Sequence, residues 1–338
     1  ATAVGKGAVA SGCYSSSFGF QTTASGKSSV VMGHNSEATA ESASAFGLYS
    51  CAYGTDSTAV GYYSMVTVLA ATKSSVFGYK SCVLAINATA VGHLSCASEC
   101  CASAFGYKSC ATNKASNALG YRACATGLCS LAIGKNILAS GSCSTAIGYY
   151  ACNITDKSIA VGFYTSVSNQ QTLTVGSTTG WVVDDILTGA TSEATGTVIE
   201  VISSTAVRVR LNTTTIFQYY ETITDGSNVS FSTSVTTVYA NRSTAVGVCS
   251  YAVGIKSNAF GMCSWACGDC STSIGTYTQA GDCRALAIGY GARALCENTL
   301  SIGRSTCACK CEALAIGYQS CALGCATTAI GCGSIASG

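Results

Sequence analysis

The chain has 338 residues, with 17 Lys or Arg against 15 Asp or Glu, so its net charge is only +2. A balance this close to neutral excludes the broad basic surface that nucleic acid or anionic lipid requires. No apolar run is long enough to span a bilayer, so membrane insertion is not expected in this segment. Low charge without a single Pro is unlike the composition of disordered chains, and we expect the chain to fold.

The chain contains 23 Cys, which is far more than a reducing compartment tolerates without metal. The paired CxxC knuckles of a zinc site are absent, so we expect disulfides rather than a metal or another cofactor. The cysteine content therefore predicts an extracellular or virion-surface location.

A period of 14 residues organises the chain from its first residues onward. We call the glycine that ends each Ala-Val-Gly, Ala-Phe-Gly or Ala-Ile-Gly tripeptide, or its variant, the marker glycine. The step between marker glycines is three residues longer once and is interrupted once by a long insertion. The marker glycines are Gly5, Gly19, Gly33, Gly47, Gly61, Gly78, Gly92, Gly106, Gly120, Gly134, Gly148, Gly162, Gly176, Gly247, Gly261, Gly275, Gly289, Gly303, Gly317 and Gly331.

Each repeat contains two short alternating segments, which favours strands joined by tight turns over helices. Two strands per repeat in constant register predict an all-β, 14-residue-repeat parallel β-roll, or β-solenoid. We predict roll repeats over residues 1–176 and 234–338, with a small antiparallel β module inserted at 177–233.

The residue before each marker glycine is large and apolar, and the residue before that is usually Ala. Neighbouring residues of a strand point to opposite faces, so we expect Ala inside a flat roll and the large residue outside. A monomeric solenoid with the large residues inside is the alternative. An outward apolar stripe of this length exceeds what a monomer exposes, so we predict that it forms a homotrimer interface. The predicted interface residues are Val91, Phe105, Leu119, Ile133, Ile147, Val161, Ile288, Ile302, Ile316 and Ile330.

The segments Tyr107-Lys-Ser-Cys-Ala and Ser144-Thr-Ala-Ile-Gly148 carry a resemblance to a known family. The repeat resembles the head repeat of YadA-like trimeric autotransporter adhesins, which also recurs in phage and other viral fibres. The resemblance covers about residues 1–176 and 234–338. It implies a left-handed parallel β-roll, three chains around one axis, and an adhesive or fibre-forming role.

The insertion differs from the repeats in composition and has few Cys. Its alternating segments predict a small antiparallel β module. We interpret it as either a receptor- or glycan-binding surface or a stiffening knob. Its non-repetitive side chains include Trp181, Asp184, Asp185, Arg208, Arg210, Tyr219 and Tyr220.

Many cysteines recur at the same phase of the period in adjacent repeats. One strand spacing lies within the Cα separation that a disulfide allows. Cys96 with Cys110 is an equally spaced alternative, and bonds between chains are also open. The candidate pairs are Cys82 with Cys96, Cys110 with Cys124, Cys129 with Cys143, Cys249 with Cys263, Cys307 with Cys321, and Cys311 with Cys325.

Two further patterns in the sequence predict features of the surface. Tyr or His often follows the marker glycine, as at Tyr107 and His93, and this predicts an aromatic ladder along a turn. Acceptor motifs for N-glycosylation occur in several repeats and in the insertion; Asn153 is set aside because it has the inward phase. The glycosylation candidates are Asn87, Asn212, Asn228 and Asn241.

Taken together, these patterns predict a structural fibre or adhesin, a disulfide-stapled trimeric shaft that attaches to a host or another surface. Ala1 and Gly338 lie at nearly matching phases, so end-to-end self-assembly into a filament is a further expectation. A trimeric tailspike-type enzyme that degrades polysaccharide is the alternative, although such an enzyme needs two positioned carboxylates. Asp184 and Asp185 form the one adjacent pair, and we assign no catalytic residue. Ice binding would need a regular Thr array, which the outward phases lack.

Overall fold

The computed structural model describes residues 1–167, 170–211, 222–238 and 242–338. It contains two compact units, Ala1–Tyr149 and Tyr150–Gly338. No helix among the described residues is long and apolar enough to cross a membrane.

The first unit is a parallel roll in which a longer strand alternates with a short one. Each strand pairs in parallel with the strand one coil further along, so Gly78 lies beside Gly92 and Gly92 beside Gly106. Its strands are β1 (Thr2–Val4), β2 (Val9–Ala10), β3 (Ser16–Phe20), β4 (Thr23–Ala24), β5 (Val30–His34), β6 (Glu37–Ala38), β7 (Ser44–Leu48), β8 (Cys51–Ala52), β9 (Thr58–Tyr62), β10 (Met65–Val66), β11 (Ser75–Tyr79), β12 (Cys82–Val83), β13 (Thr89–His93), β14 (Cys96–Ala97), β15 (Ser103–Tyr107), β16 (Cys110–Ala111), β17 (Asn117–Ala125), β18 (Leu131–Ala139) and β19 (Thr145–Tyr149).

The second unit begins with the same coil pattern and then changes to an antiparallel sheet. Three roll strands come first, β20 (Cys152–Asn153), β21 (Ile159–Phe163) and β22 (Ser166–Val167). Six antiparallel strands then close into a barrel in the order β23-β26-β25-β24-β27-β28. They are β23 (Gln170–Val175), β24 (Ile186–Gly189), β25 (Thr195–Ser203), β26 (Ala206–Leu211), β27 (Thr222–Thr224) and β28 (Val229–Val238).

The roll resumes after the barrel in the register that it left. β21 pairs with the first strand after the barrel, with Gly162 beside Gly247. The remaining strands are β29 (Thr244–Val248), β30 (Tyr251–Ala252), β31 (Asn258–Met262), β32 (Trp265–Ala266), β33 (Thr272–Thr276), β34 (Gln279–Ala280), β35 (Leu286–Tyr290), β36 (Arg293–Ala294), β37 (Leu300–Arg304), β38 (Cys307–Ala308), β39 (Leu314–Tyr318), β40 (Cys321–Ala322), β41 (Thr328–Cys332) and β42 (Ile335–Ala336).

The antiparallel strands extend past both predicted edges of the insertion, residues 177 and 233. Thr174-Val175-Gly176 has the local pattern of a roll strand, but Leu173 pairs antiparallel with Val207. Gly176 is therefore not the marker glycine of a roll coil.

The core of the roll is made of small side chains, as the alternation predicts. Ala132 and Ala139 are fully buried, whereas Ile133, next to Ala132, is half-buried and faces outward. The alternative solenoid, with Ala outside and the large residues inside, is therefore wrong. Closely spaced sheets leave room for Ala, although a few coils accommodate a larger group, such as Ile137.

Buried hydroxyls satisfy the backbone of the neighbouring coil. The third residue after the marker glycine is often Ser, and its Oγ donates to the marker carbonyl one coil on, as Ser109 does to Gly120 at 2.7 Å. Ser50 and Ser95 donate in the same way to Gly61 and Gly106. A carbonyl left without a partner inside the roll would cost about 1–3 kcal/mol, so these serines are structural.

A pair of buried hydroxyls forms in the coils where Ser replaces the buried Ala of the marker tripeptide. In those coils Thr takes the place of the serine that follows the marker glycine. The two hydroxyls then bond each other at 2.8 Å, as in Ser17–Thr22, Ser273–Thr278 and Ser301–Thr306.

Candidate functional site

The apolar outer stripe consists of the residues that precede the marker glycines. In the first unit Phe105 pairs beside Leu119, Leu119 beside Ile133, and Ile133 beside Ile147, so the stripe is continuous. The exposed fraction is 36% for Phe105 and 48% for Leu119, which is high for residues of this size. Val91, Ile133 and Ile147 are half-buried.

The second unit carries the same stripe in its later coils. Ile288, Ile302, Ile316 and Ile330 pair in succession, and Ile330 is 63% exposed. Val161 lies beside Val246 in the earlier coils. The structure thus brings the predicted interface residues of each unit into columns on the outer face; the interface itself stays a prediction.

The cysteines of the short strands, together with Cys124 of β17, form a column of sulfur atoms in the first unit. Cys82 lies beside Cys96, Cys96 beside Cys110, and Cys110 beside Cys124, so both pairing registers remain open. Met65 continues the column on the other side of Cys82. No cysteine of the described chain forms a disulfide bond, and the candidate pairs stay predictions.

The thiols of this column differ in how readily they ionise. The Sγ atoms of Cys82 and Cys96 lie 3.0 Å apart. The hydrogen bond between these two thiols lowers the pKa of Cys82, and the same contact with burial raises the pKa of Cys96. Burial, with the neighbouring thiols, raises the pKa of Cys110 to about 11. The column therefore places one thiol of lowered pKa, Cys82, beside thiols of raised pKa.

The other candidate cysteine pairs lie elsewhere on the coils. Cys307 lies beside Cys321 in short strands. Each residue of the pairs Cys129–Cys143 and Cys249–Cys263 has a positive φ of 51–55° in its turn. Cys311 and Cys325 are exposed.

The glycosylation candidates fall in different surroundings. Asn87 is exposed in a turn, with φ of 54°, whereas the Asn228 amide donates to Asp225 Oδ2 at 2.9 Å. Asn153 is fully buried, and its amide donates to the Ser158 carbonyl at 2.7 Å. Asn212 and Asn241 lie outside the described residues.

In the insertion, the adjacent aspartates are part of a turn. Asp185 Oδ2 accepts the Val182 N–H at 2.6 Å, and Asp184 has a φ of 78°. Trp181 is buried, with only 4% exposed. Tyr219 and Tyr220 lie outside the described residues, and for Arg208 and Arg210 only the backbone of β26 is described.

The predicted aromatic ladder forms a stacked column in the first unit. The rings of Tyr62, Tyr79, His93, Tyr107 and Tyr121 follow one another at centroid distances of 4.8–5.0 Å and interplanar angles of 5–11°. Because all five rings occupy the first position after a marker glycine, the strand spacing sets the stacking distance.

Cations accompany this column, and the sequence pattern alone did not lead us to expect them. Lys80 Nζ lies 5.4 Å from the Tyr79 ring, Lys108 Nζ 5.4 Å from Tyr107, and the Arg122 guanidinium carbon 5.7 Å from Tyr121. Lys135 takes a ring position in the column, 5.7 Å from Tyr121 and 5.2 Å from Tyr149. The signal that could have found them is a cation directly after the ladder tyrosine in three repeats.

No group of three or more His, Cys, Asp or Glu side chains in the described ranges is placed to hold a metal ion. The two histidines lie in the ladder instead. The ring centroid of His34 lies 4.9 Å from that of Phe20, and the His93 ring is stacked between Tyr79 and Tyr107.

Comparison with known families agrees with this geometry. The YadA head domain repeat matches residues 24–50 in two copies. The parallel coils fit a YadA-like head repeat. This repeat belongs to a family of surface-exposed structural adhesins. No curated protein matches the chain.

Proposed function

We propose that the chain is the shaft of a homotrimeric fibre or adhesin on the outside of a cell or virion, which attaches to a host or another surface. The observation that carries the proposal is the apolar outer stripe, which runs in register along a roll of YadA-like repeats. A contiguous stripe of large, half-exposed apolar side chains marks an interaction surface. Every copy of a roll with constant register presents the same surface, so copies can bury the stripe against one another.

A homotrimer would bury the apolar stripes of all three copies around one axis. Each coil presents one large residue at the same height, so three copies around an axis would meet coil by coil and close without a free edge. The small core supports this assignment, because a roll filled with Ala and Ser has little apolar volume of its own. Burial of the stripe would supply the stabilisation that the thin core lacks.

Disulfide staples form the second part of the proposal. Cys82 with Cys96 and Cys307 with Cys321 are neighbours across adjacent coils, and oxidation of such pairs would resist fraying of a structure in which each coil contacts only its neighbours. The barrel segment between the coils is the proposed contact with a receptor or glycan, and Asn87 is an exposed candidate for glycosylation. Stacking of copies end to end would continue the same coil register.

The test is the mass of the particle in solution. Sedimentation equilibrium of the 34.0 kDa chain should give three times the chain mass, and Ile133→Asp with Ile147→Asp should reduce it to that of a monomer. The matched control is Leu94→Asp with Leu128→Asp, which places the same charges at exposed leucines outside the stripe. A wild-type monomer, or a trimer that survives the stripe variant, would contradict the proposal.

A further inference from the structure

The two turns of each coil differ in charge. One turn consists of the first two residues after the marker glycine, and the other includes the seventh to ninth residues after it. In the first unit the seventh-to-ninth turns carry both signs, and Lys27 Nζ lies 2.9 Å from Glu41 Oε1. The turns directly after the marker glycines contain no Asp or Glu in any described coil, and they hold several cations.

These cations form a defined surface, which we call the basic edge: Lys80, Lys108, Arg122 and Lys135 with the stacked rings beneath them. All four cations are exposed. They occur in coils whose marker glycines run from Gly78 to Gly134, which spans about 19 Å at about 4.8 Å per coil. Each of the four cations lies 5.2–5.7 Å from the centroid of a ladder ring, and the turns of this edge supply no carboxylate to neutralise them.

We propose that the basic edge binds a linear polysaccharide that carries sulfate or carboxylate groups, lying along the roll. The uncompensated row of positive charge complements a chain with anionic groups at regular intervals. Tyrosine hydroxyls at the ring edges add hydrogen-bond donors for the same groups.

The ring geometry favours this ligand over single-stranded nucleic acid. Bases bind to proteins of that class by stacking on open aromatic faces. In the basic edge the faces of Tyr79, His93 and Tyr107 are occupied by one another, at angles of 5° and 11°. The ligand therefore meets ring edges and cations rather than ring faces. This inference gives the roll a ligand of its own, beside the contact proposed for the barrel segment, and it rests on the proposed attachment function.

The experiment measures binding of the full chain to immobilised heparin as a function of salt. Lys80→Gln with Lys108→Gln and Arg122→Gln should weaken binding about tenfold or more and lower the slope against log salt by about 3. Gln suits these positions, because Gln21 and Gln319 stand at the same turn position with φ of 51° and 53°. The matched control, Lys27→Gln with Lys73→Gln and Lys114→Gln, removes the same charge from the opposite turn and should keep wild-type binding within about twofold.

Three results would overturn the inference. The first is absence of heparin binding by the wild type at low salt, and the second is equal loss in both triple variants. The third is binding of single-stranded or duplex DNA that is as strong as heparin binding and is abolished by the Lys80, Lys108 and Arg122 triple variant. Particle mass, measured on the same samples, separates this question from assembly. A trimer that ignores heparin refutes the basic edge alone, and a monomer that binds heparin refutes the proposed trimer alone.

Discussion

At the scale of single residues, the marker glycines are required for two separate reasons. Their φ angles, such as +126° at Gly106, lie in a region that residues with a Cβ rarely adopt. A Cβ on Gly106 would also collide with the carbonyl oxygen of Gly120 in the next coil. The close approach of successive coils therefore depends on the absent side chain as well as on backbone freedom.

Gly106→Ala should consequently destabilise the roll by about 3 kcal/mol or more, because backbone strain and overpacking add. The measurement is the thermal midpoint followed by far-UV circular dichroism. Gly226→Ala is the control, because Gly226 has a φ of +97° but, apart from its chain neighbours, no atom of the described residues lies within 4 Å of the place its Cβ would take. It should show the strain without the collision, and so a smaller shift. Equal shifts for the two variants would contradict the steric part of the argument.

At the scale of secondary-structure elements, each short strand places one outward side chain in a column. In the first unit four consecutive short-strand positions hold Cys82, Cys96, Cys110 and Cys124. Because the thiolate is the reactive form, the pKa differences along the column predict an order of reactivity.

In reduced protein at pH 8, iodoacetamide should modify Cys82 faster than Cys110. The Cys96 thiol stabilises the Cys82 thiolate, whereas a pKa of about 11 keeps Cys110 protonated, so its rate should keep rising until pH passes that value. Peptide mass spectrometry of timed samples gives both rates. Cys96→Ala removes the hydrogen-bond partner and should slow modification of Cys82, and a Cys82 rate unaffected by that substitution would refute the assignment.

The sequence predicted the elements of the roll well, because their signal is physical and repeated. Alternation at the marker tripeptides placed Ala132 inside and Ile133 outside, and the period set the neighbours of each strand. The start of the barrel was not predictable in this way. Thr174-Val175-Gly176 alternates like a roll strand, and alternation is the same for parallel and antiparallel pairing. The charge difference between the two turns depends on which positions share an edge of the coil, and alternation along a strand does not determine that.

At the scale of the whole molecule, the barrel strands interrupt the sequence of the roll but not its register. Gly162 pairs with Gly247, and Ala160 with Ala245, as adjacent coils do elsewhere. The alanines on both sides of the interruption belong to one core cluster with Val167 and Ala252. The roll strands before and after the insertion therefore pair directly with each other, without help from the inserted residues.

Deletion of residues 170–240 should accordingly leave a folded roll, because it returns Gly162 and Gly247 to the 14-residue spacing of every regular coil. We expect the circular dichroism of the roll, the trimer mass and heparin binding to be kept, since the outer stripe and the basic edge lie outside the deleted segment. Attachment to a receptor-bearing surface should be lost if the barrel segment makes that contact. The control deletes residues 171–240 instead, which leaves the spacing one residue too long, and this shift turns the following alternation to the wrong face. An unfolded product from the first deletion, or equal stability of the two, would show that the barrel strands are needed to join the coils.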